Sequence, residues 1–312
     1  MKRFFALLMS LCLMLGLCAC SDEPDAITPL VYEVTDADGD TVWLLGTIHV
    51  GYDYFYPLPD YVYDVYNQAD ALAVEADIVA FEQDMAAQTQ ALMPMMYQDG
   101  TTIADHIPEE LYDKAVQIMT DAGYYMPMLD YYNIAMWSSL VESLMYEELE
   151  LDVNLGIDRH LLEKAHKENK PVQEVESVDF QYGMLNSFSE PLQILLLEQA
   201  VASWDSLSMA KMSISSLVTP WAAGDAEGLT AILYMEDPLM TEEEKTLNDE
   251  YTKAMITDRN IGMADFAENA LEKGEKVFIC VGAAHVVGPG GMADLLEQRG
   301  YAVTAIGGKG AE

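Results

Sequence analysis

The chain has 312 residues, 51% of them hydrophobic, with 53 acidic against 15 basic side chains and a net charge of −38. Enough apolar residues for a sizeable core exclude a disordered acidic tail, and the charge excludes phosphate-backbone partners such as nucleic acid. Of four cysteines, only Cys280 lies beyond residue 20, which excludes disulfides and a cysteine-rich zinc site.

Lys2 and Arg3 precede an apolar run over residues 4–17, and Leu17-Cys18-Ala19-Cys20 then gives way to the polar stretch SDEPDA. The run fits an export signal and falls short of the roughly 20 residues a membrane-spanning helix needs. Its ending resembles the lipobox of bacterial lipoproteins, in which the last cysteine is lipidated. The alternative is an ordinary secretory signal cleaved near Ala19. On the lipoprotein reading residues 1–20 are the signal, Cys20 carries the lipid, 21–28 are a linker and 29–312 are the folded domain. That domain would sit outside the cytoplasm, on the outer face of the cytoplasmic membrane or the periplasmic side of a membrane. Acyl chains would hold it there without a spanning helix.

Beyond the linker, β-rich runs over 30–34 and 41–50 flank ADGD and predict a hairpin. Residues 60–69 read as a helix, and ALAVEAD over 71–77 as a short buried strand ending in carboxylates. Further helices are predicted over 81–93, 108–122, 130–149, 157–169, 191–202 and 206–223, with a strand over 171–177. Residues 241–273 hold one long helix or two, opening on a Thr-Glu-Glu-Glu capping pattern. At the end, KVFICVGAAHVVG is a strand running into a loop, GGMADLLEQRG a helix closed by Gly300, and YAVTAIG a final strand. That is a βαβ unit with a parallel pair. The expected class is α/β, with α+β as the alternative: a central mixed sheet carrying an N-terminal hairpin, a C-terminal βαβ unit and a large helical insertion.

Two histidines share a context. Gly46-Thr-Ile-His49 and Gly282-Ala-Ala-His285 each follow an apolar strand. Ligand sites gather at the ends of parallel strands, and imidazole serves as metal ligand or general base near neutral pH. One strand-end histidine is more often a packed residue; two matched ones point to a shared crevice. Glu75 emerges from a buried strand, where a carboxylate is costly unless paired or coordinating, and Asp77 is its weaker neighbour. Arg259, in a chain poor in cations, suggests a carboxylate clamp, structural or substrate-facing. Asp158 and Arg159 read as a helix start that also faces the crevice, or as an N-cap beside a surface charge. His160 and His166 read as solvent-facing, His106 as a helix-start residue, and Cys280 as a buried small apolar residue.

Taken together, WLLGTIHVG, YPLP, ALAVEAD, LGIDRHLLEKAHKENKPVQEVES, DRNIGMADF and VFICVGAAHVVGPGGMADLLEQRGYAV resemble the TraB/GumN family, which includes the membrane-anchored TIKI metalloproteases. The resemblance runs in family order from about residue 30 to residue 306. It implies an α/β fold similar to erythromycin-esterase and ChaN-like proteins. It also implies one site lined by His49, Glu75, Arg259 and His285, and peptide cleavage with a divalent metal, manganese or cobalt ahead of zinc or iron. The chain lacks the His-Glu-x-x-His of ordinary zincins.

The expected activity is therefore metal-dependent hydrolysis of a peptide, or of a small-molecule substrate. His49 and His285 would bind the metal. Glu75 would be third ligand or general base, and Arg259 would hold a substrate carboxylate or a developing oxyanion. Two alternatives stand beside it: a metal-free hydrolase in which imidazole and carboxylate activate water, and a lipoprotein that binds a peptide or pheromone without cleaving it.

Overall fold

The computed structural model describes residues 27–235 and 239–309. The segment read as an export signal, Cys20 and most of the expected linker lie outside the described residues. Strands β1 (Val31–Thr35) and β2 (Thr41–Thr47) form the expected antiparallel hairpin, with Val31 opposite Leu45. In its turn the Asp36 carboxylate accepts from the backbone N–H groups of Asp38 and Asp40, and Gly39 adopts φ +91°, which glycine does without steric cost.

Helix α1 (Asp60–Gln68) leads into β3 (Ala71–Val74), all four residues of which are buried. The helix expected over 81–93 forms only as α3 (Met85–Leu92), split from a separate turn before it, α2 (Ile78–Phe81). Asp77 and Asp84 cause the split, because each caps a helix start: one accepts from Ala80 N–H, the other from Ala86 and Ala87 N–H. Helix α4 (Glu109–Asp121) is followed by α5 (Ile134–Glu148), which begins later than expected because Asn133 caps it. Helix α6 (Ile157–Glu168) ends at Asn169 with φ +57° and leads into β4 (Val172–Glu174).

Four helices come next: α7 (Val178–Ser187), α8 (Glu190–Asp205), α9 (Leu207–Ala222) and α10 (Ala226–Leu233). Of these, α7 and α10 had no clear sequence signal. The run over 241–273 is two helices, α11 (Glu242–Thr252) and α12 (Asp258–Glu272), joined by a π-helical segment, Lys253–Thr257. Thr241 and Glu244 form the expected capping box. The chain then makes β5 (Val277–Gly282), the single turn α13 (Ala283–Val286), α14 (Met292–Gln298) and β6 (Ala302–Ala305).

The six strands make one mixed sheet in the order β4-β3-β5-β2-β1-β6. Strands β4, β3, β5 and β2 are parallel, and β1 and β6 join antiparallel. The fold is therefore of the mixed α/β kind that the sequence suggested. One detail differs: β5 and β6 point the same way but are not neighbours, since β2 and β1 lie between them. Both edges of the fully buried β5 are already taken by β3 and β2, whereas β6, with exposed residues alternating along it, suits a sheet edge.

One core packs Leu44, Leu45, Leu72, Phe278 and Ile279 of the sheet against helical residues including Leu161, Trp221 and Ala264. A second lies within the helical insertion around Met119, Trp137 and Leu197. Among the described residues, no helix is long and apolar enough to cross a membrane.

Candidate active site

Four adjacent parallel strands deliver their carboxyl ends to one place. His49 follows β2, Glu75 follows β3, Glu176 follows β4, and Gly282 and His285 stand at the end of β5 and on α13. Gly282 marks the point of convergence. A Cβ there would lie 3.3 Å from Glu75 Oε1, 3.3 Å from His49 Nε2 and 3.5 Å from His285 Cδ2. The two Gly-x-x-His motifs thus meet in space.

Each imidazole is held by its other nitrogen. His49 Nδ1 lies 3.1 Å from Asp158 Oδ1 at the start of α6. A carboxylate only accepts, so Nδ1 carries the proton and Nε2 of the neutral ring faces inward as a lone pair. His285 Nδ1 lies 2.7 Å from Asn260 Oδ1. The Asn260 amide is oriented by its own donation to the Gly290 carbonyl at 2.8 Å, so His285 likewise presents a bare Nε2.

Glu75, 4% exposed, is tied down from three sides. Gly282 N–H donates to Oε1 at 2.7 Å, while Arg259 and Gln181 donate to Oε2. A carboxylate offers about four lone-pair positions. The Oε2 positions are taken, and one on Oε1 is left, on the oxygen that stands 4.0 Å from His285 Nε2.

Burial alone would raise the Glu75 pKa, but Arg259, the two imidazoles and the Gly282 N–H reverse that and hold it at about 2. Burial pulls His285 down to about 3, so at neutral pH its approach to Glu75 is not an ion pair. Burial also pulls on His49, but the charge and hydrogen bond of Asp158, with Glu75, outweigh it and leave its pKa raised.

A stability test follows from His285. Its pKa is depressed in the folded state, so the unfolded state binds the proton first as pH falls below 6.5. Its neutral form contributes stability that is present above 6.5 and lost progressively toward pH 3. Across that window the loss is expected to reach ~1.4 kcal/mol per pH unit. Metal-free His285→Gln should show a shallower slope than the parent in urea denaturation between pH 7 and pH 4. Equal slopes would refute the buried, neutral His285.

Arg259 is oriented differently from the sequence expectation of a substrate or oxyanion clamp. Nε donates to Glu176 at 2.8 Å, Nη2 to Glu75 and Glu176, and Nη1 to the Met255 carbonyl at 3.3 Å. It is 4% exposed, and its fork is turned toward the protein's own carboxylates. That geometry makes it the residue that positions Glu75.

Of the other candidates, Asp158 joins the cluster through His49, and the rest stand apart from it. Asp77 caps α2 and pairs with His166, and Arg159 turns to Glu82 and Glu163. His160 bonds Tyr63, and His106 bonds Thr101 and stacks on Tyr97. Cys280 is a free, buried cysteine. Sequence reasoning missed Glu176, Gln181 and Asn260. Asn260 follows Arg259 directly and could have been flagged by that position; Gln181 and Glu176 carried no signal.

Two imidazole nitrogens and a carboxylate oxygen have the donor chemistry of manganese, cobalt, iron or zinc. Tethering each Nδ1 to an oxygen acceptor is how metal-binding histidines are oriented. The spacing is looser than the chemistry. Two ligand atoms on a tetrahedral metal lie roughly 3.3 Å apart, against the 4.0 Å between Glu75 and His285. Among the described residues, no group of three or more His, Cys, Asp or Glu side chains is drawn together to hold a metal. The donor set fits a divalent metal in kind and must close slightly to hold one.

Comparison with known proteins gives a consistent placement. A family model described as the TraB/PrgY/gumN family matches residues 30–305. The Escherichia coli (strain K12) protein named "Uncharacterized protein YbaP" is 23% identical over 255 residues, covering 81% of this chain and 86% of that one. Its Shigella flexneri counterpart gives the same values. No solved structure matches the chain.

Proposed function

This chain belongs to the TraB/PrgY/gumN family, and from that premise we propose that it is a metal-dependent hydrolase acting on peptides, built on His49, Glu75 and His285. The convergence of His49 Nε2, Glu75 Oε1 and the His285 ring on one point at Gly282 carries the reading. His49 Nε2 and His285 Nε2 would hold the metal, with the remaining Oε1 lone pair of Glu75 as third donor or as base toward the attacking water. A bound divalent metal would supply Lewis acidity toward the scissile carbonyl and make a water more acidic. The protein's own work is positional. Asp158 and Asn260 aim the imidazoles, Arg259 and Gln181 keep Glu75 ionised and still, and burial keeps competing water away from Glu75 and His285.

A metal-free reading is favoured by one observation, the loose 4.0 Å spacing. In it, His49 takes the proton of the attacking water, and Asp158 stabilises the imidazolium that forms. In either reading the protein acts outside the cytoplasm, held to a membrane by lipid on Cys20.

The test compares residues 21–312 with a His49→Ala, His285→Ala double variant in titrations with manganese, cobalt and zinc and in a peptide-library cleavage screen. Stoichiometric metal and cleavage in the parent, both lost in the variant, are expected. Cleavage that survives exhaustive chelation but still needs His49 supports the metal-free reading. Tight peptide binding with the peptide recovered intact would replace hydrolysis by capture.

A further inference from the structure

Among the described residues, two buried side-chain atoms have no hydrogen-bond partner: Arg159 Nε and Thr47 Oγ1. Arg159 has an evident explanation, since its terminal nitrogens reach Glu82 and Glu163. Thr47 does not. It is 1% exposed, and the hydroxyl is its only polar side-chain atom. An unpaired buried hydroxyl is costly, and valine, of the same shape, would avoid that cost.

Thr47 is the last residue of β2 and pairs in register with Gly282, the last residue of β5. Residues paired across a ladder carry their side chains to the same face of the sheet. At Gly282 that face is occupied by Glu75 Oε1, His49 Nε2 and the His285 ring. Neighbouring strands are ~4.8 Å apart, so Thr47 stands one strand away from the convergence point, on its side of the sheet. The other face is closed by α13, since a Cβ at Gly46 would lie 2.9 Å from Ala283 Cα. Just beyond Thr47 the chain meets the start of α6: Ile157 N–H donates to the Ile48 carbonyl, and Asp158 reaches His49.

With both imidazoles neutral, the described residues lining the site offer no free donor. His49 Nε2, His285 Nε2 and Glu75 Oε1 all face inward as acceptors, and the Arg259 and Gly282 donors are already bound to carboxylates. A water among three acceptors can give its two protons to two of them, but without a metal no described group there fixes its oxygen lone pairs. We propose that Thr47 is a further residue of this site, its hydroxyl donating to the oxygen of the attacking water and leaving the remaining lone pair aimed at the substrate. The proposal rests on the metal-free form of the hydrolytic reading, in which no metal ion takes a lone pair of that water.

High-resolution crystal structures of the parent, Thr47→Val and Thr47→Ser test it alongside peptide cleavage and thermal melting. In the parent and in Thr47→Ser, an ordered oxygen is expected within ~3.2 Å of residue 47 Oγ and also of His49 Nε2 or Glu75 Oε1. In Thr47→Val it should be lost or displaced. Thr47→Val should melt no lower than the parent yet cleave at least ~10-fold more slowly, in the range of a lost positioning contact, with Thr47→Ser recovering the rate. An Oγ1 bonded to a protein group, or no ordered oxygen at it, overturns the assignment. So does a Thr47→Val that cleaves like the parent. The crystals report on Thr47 without metal or turnover. A parent that neither binds metal nor cleaves peptides therefore rejects the hydrolase reading while leaving the Thr47 bond decidable.

Discussion

Arg259→Met should cost the fold about 3–5 kcal/mol, the largest loss expected from any single change at the site. Among the described residues, Arg259 is the one cation bonded to both Glu75 and Glu176, whose side chains are 5% and 9% exposed. Without it, two carboxylates remain buried close together with little beyond the Gln181 amide and the Gly282 N–H to share. Breaking one partner of a buried pair is expensive because the remaining charge has lost both water and counter-ion. Glu75, now at about 2, should rise as the attraction of Arg259 disappears and burial dominates. Urea denaturation at pH 7 measures the loss. Adding Glu75→Gln to Arg259→Met should cost less than the two single losses summed, since the second change removes a charge the first left stranded. A loss under about 1 kcal/mol for Arg259→Met would show that the pair does not hold Glu75 in place.

Gly282→Ala should leave the protein folded and remove its function. The backbone there has φ −50° and ψ 139°, open to any residue, so the only cost to stability is crowding, about 1–3 kcal/mol. The new methyl would sit 3.3 Å from both Glu75 Oε1 and His49 Nε2, at the point where the proposed reading places the reacting atom or ion. Those distances are tight enough to push the groups apart by a few tenths of an ångström and to fill the space between them. Misplacement on this scale costs ~10²-fold in rate, and metal affinity should fall with it. Titration with manganese or cobalt, cleavage and melting on the same preparation separate these effects. Normal metal binding and cleavage in Gly282→Ala would move the reacting centre away from this point.

Much of the site could be read from single positions because each carries a local cost. Glu75 was conspicuous as a carboxylate ending a buried strand, and Arg259 as a rare cation in an acidic chain. The Gly-x-x-His repeat was visible because both histidines need a close backbone approach just after an apolar strand. What each group does to the next was not visible. Arg259 read as a carboxylate clamp, structural or substrate-facing, and the carboxylates it holds are the protein's own Glu75 and Glu176. Gln181 sits on α7, whose sequence VDFQYGMLNS has weak helical patterning and contains a glycine, so the helix and its contribution were both missed.

The sequence by itself determined the elements that bury both faces or cap their own ends. Parallel strands covered on both sides need continuous apolar runs, and VFICVG and ALAV are such runs. The ADGD turn and the Thr241 capping box are built from neighbours, so their chemistry is written within a few residues. Only the tertiary structure decided which strands are neighbours, placing β2 and β1 between β5 and β6. It also decided which partners complete the site: Asp158 is 109 residues from His49, and Arg259 is 184 from Glu75. Contacts across such separations leave no period and no fixed spacing in the chain. They exist because β4, β3, β5 and β2 end side by side, and because the buried charges and imidazoles brought together there must find their partners in one another.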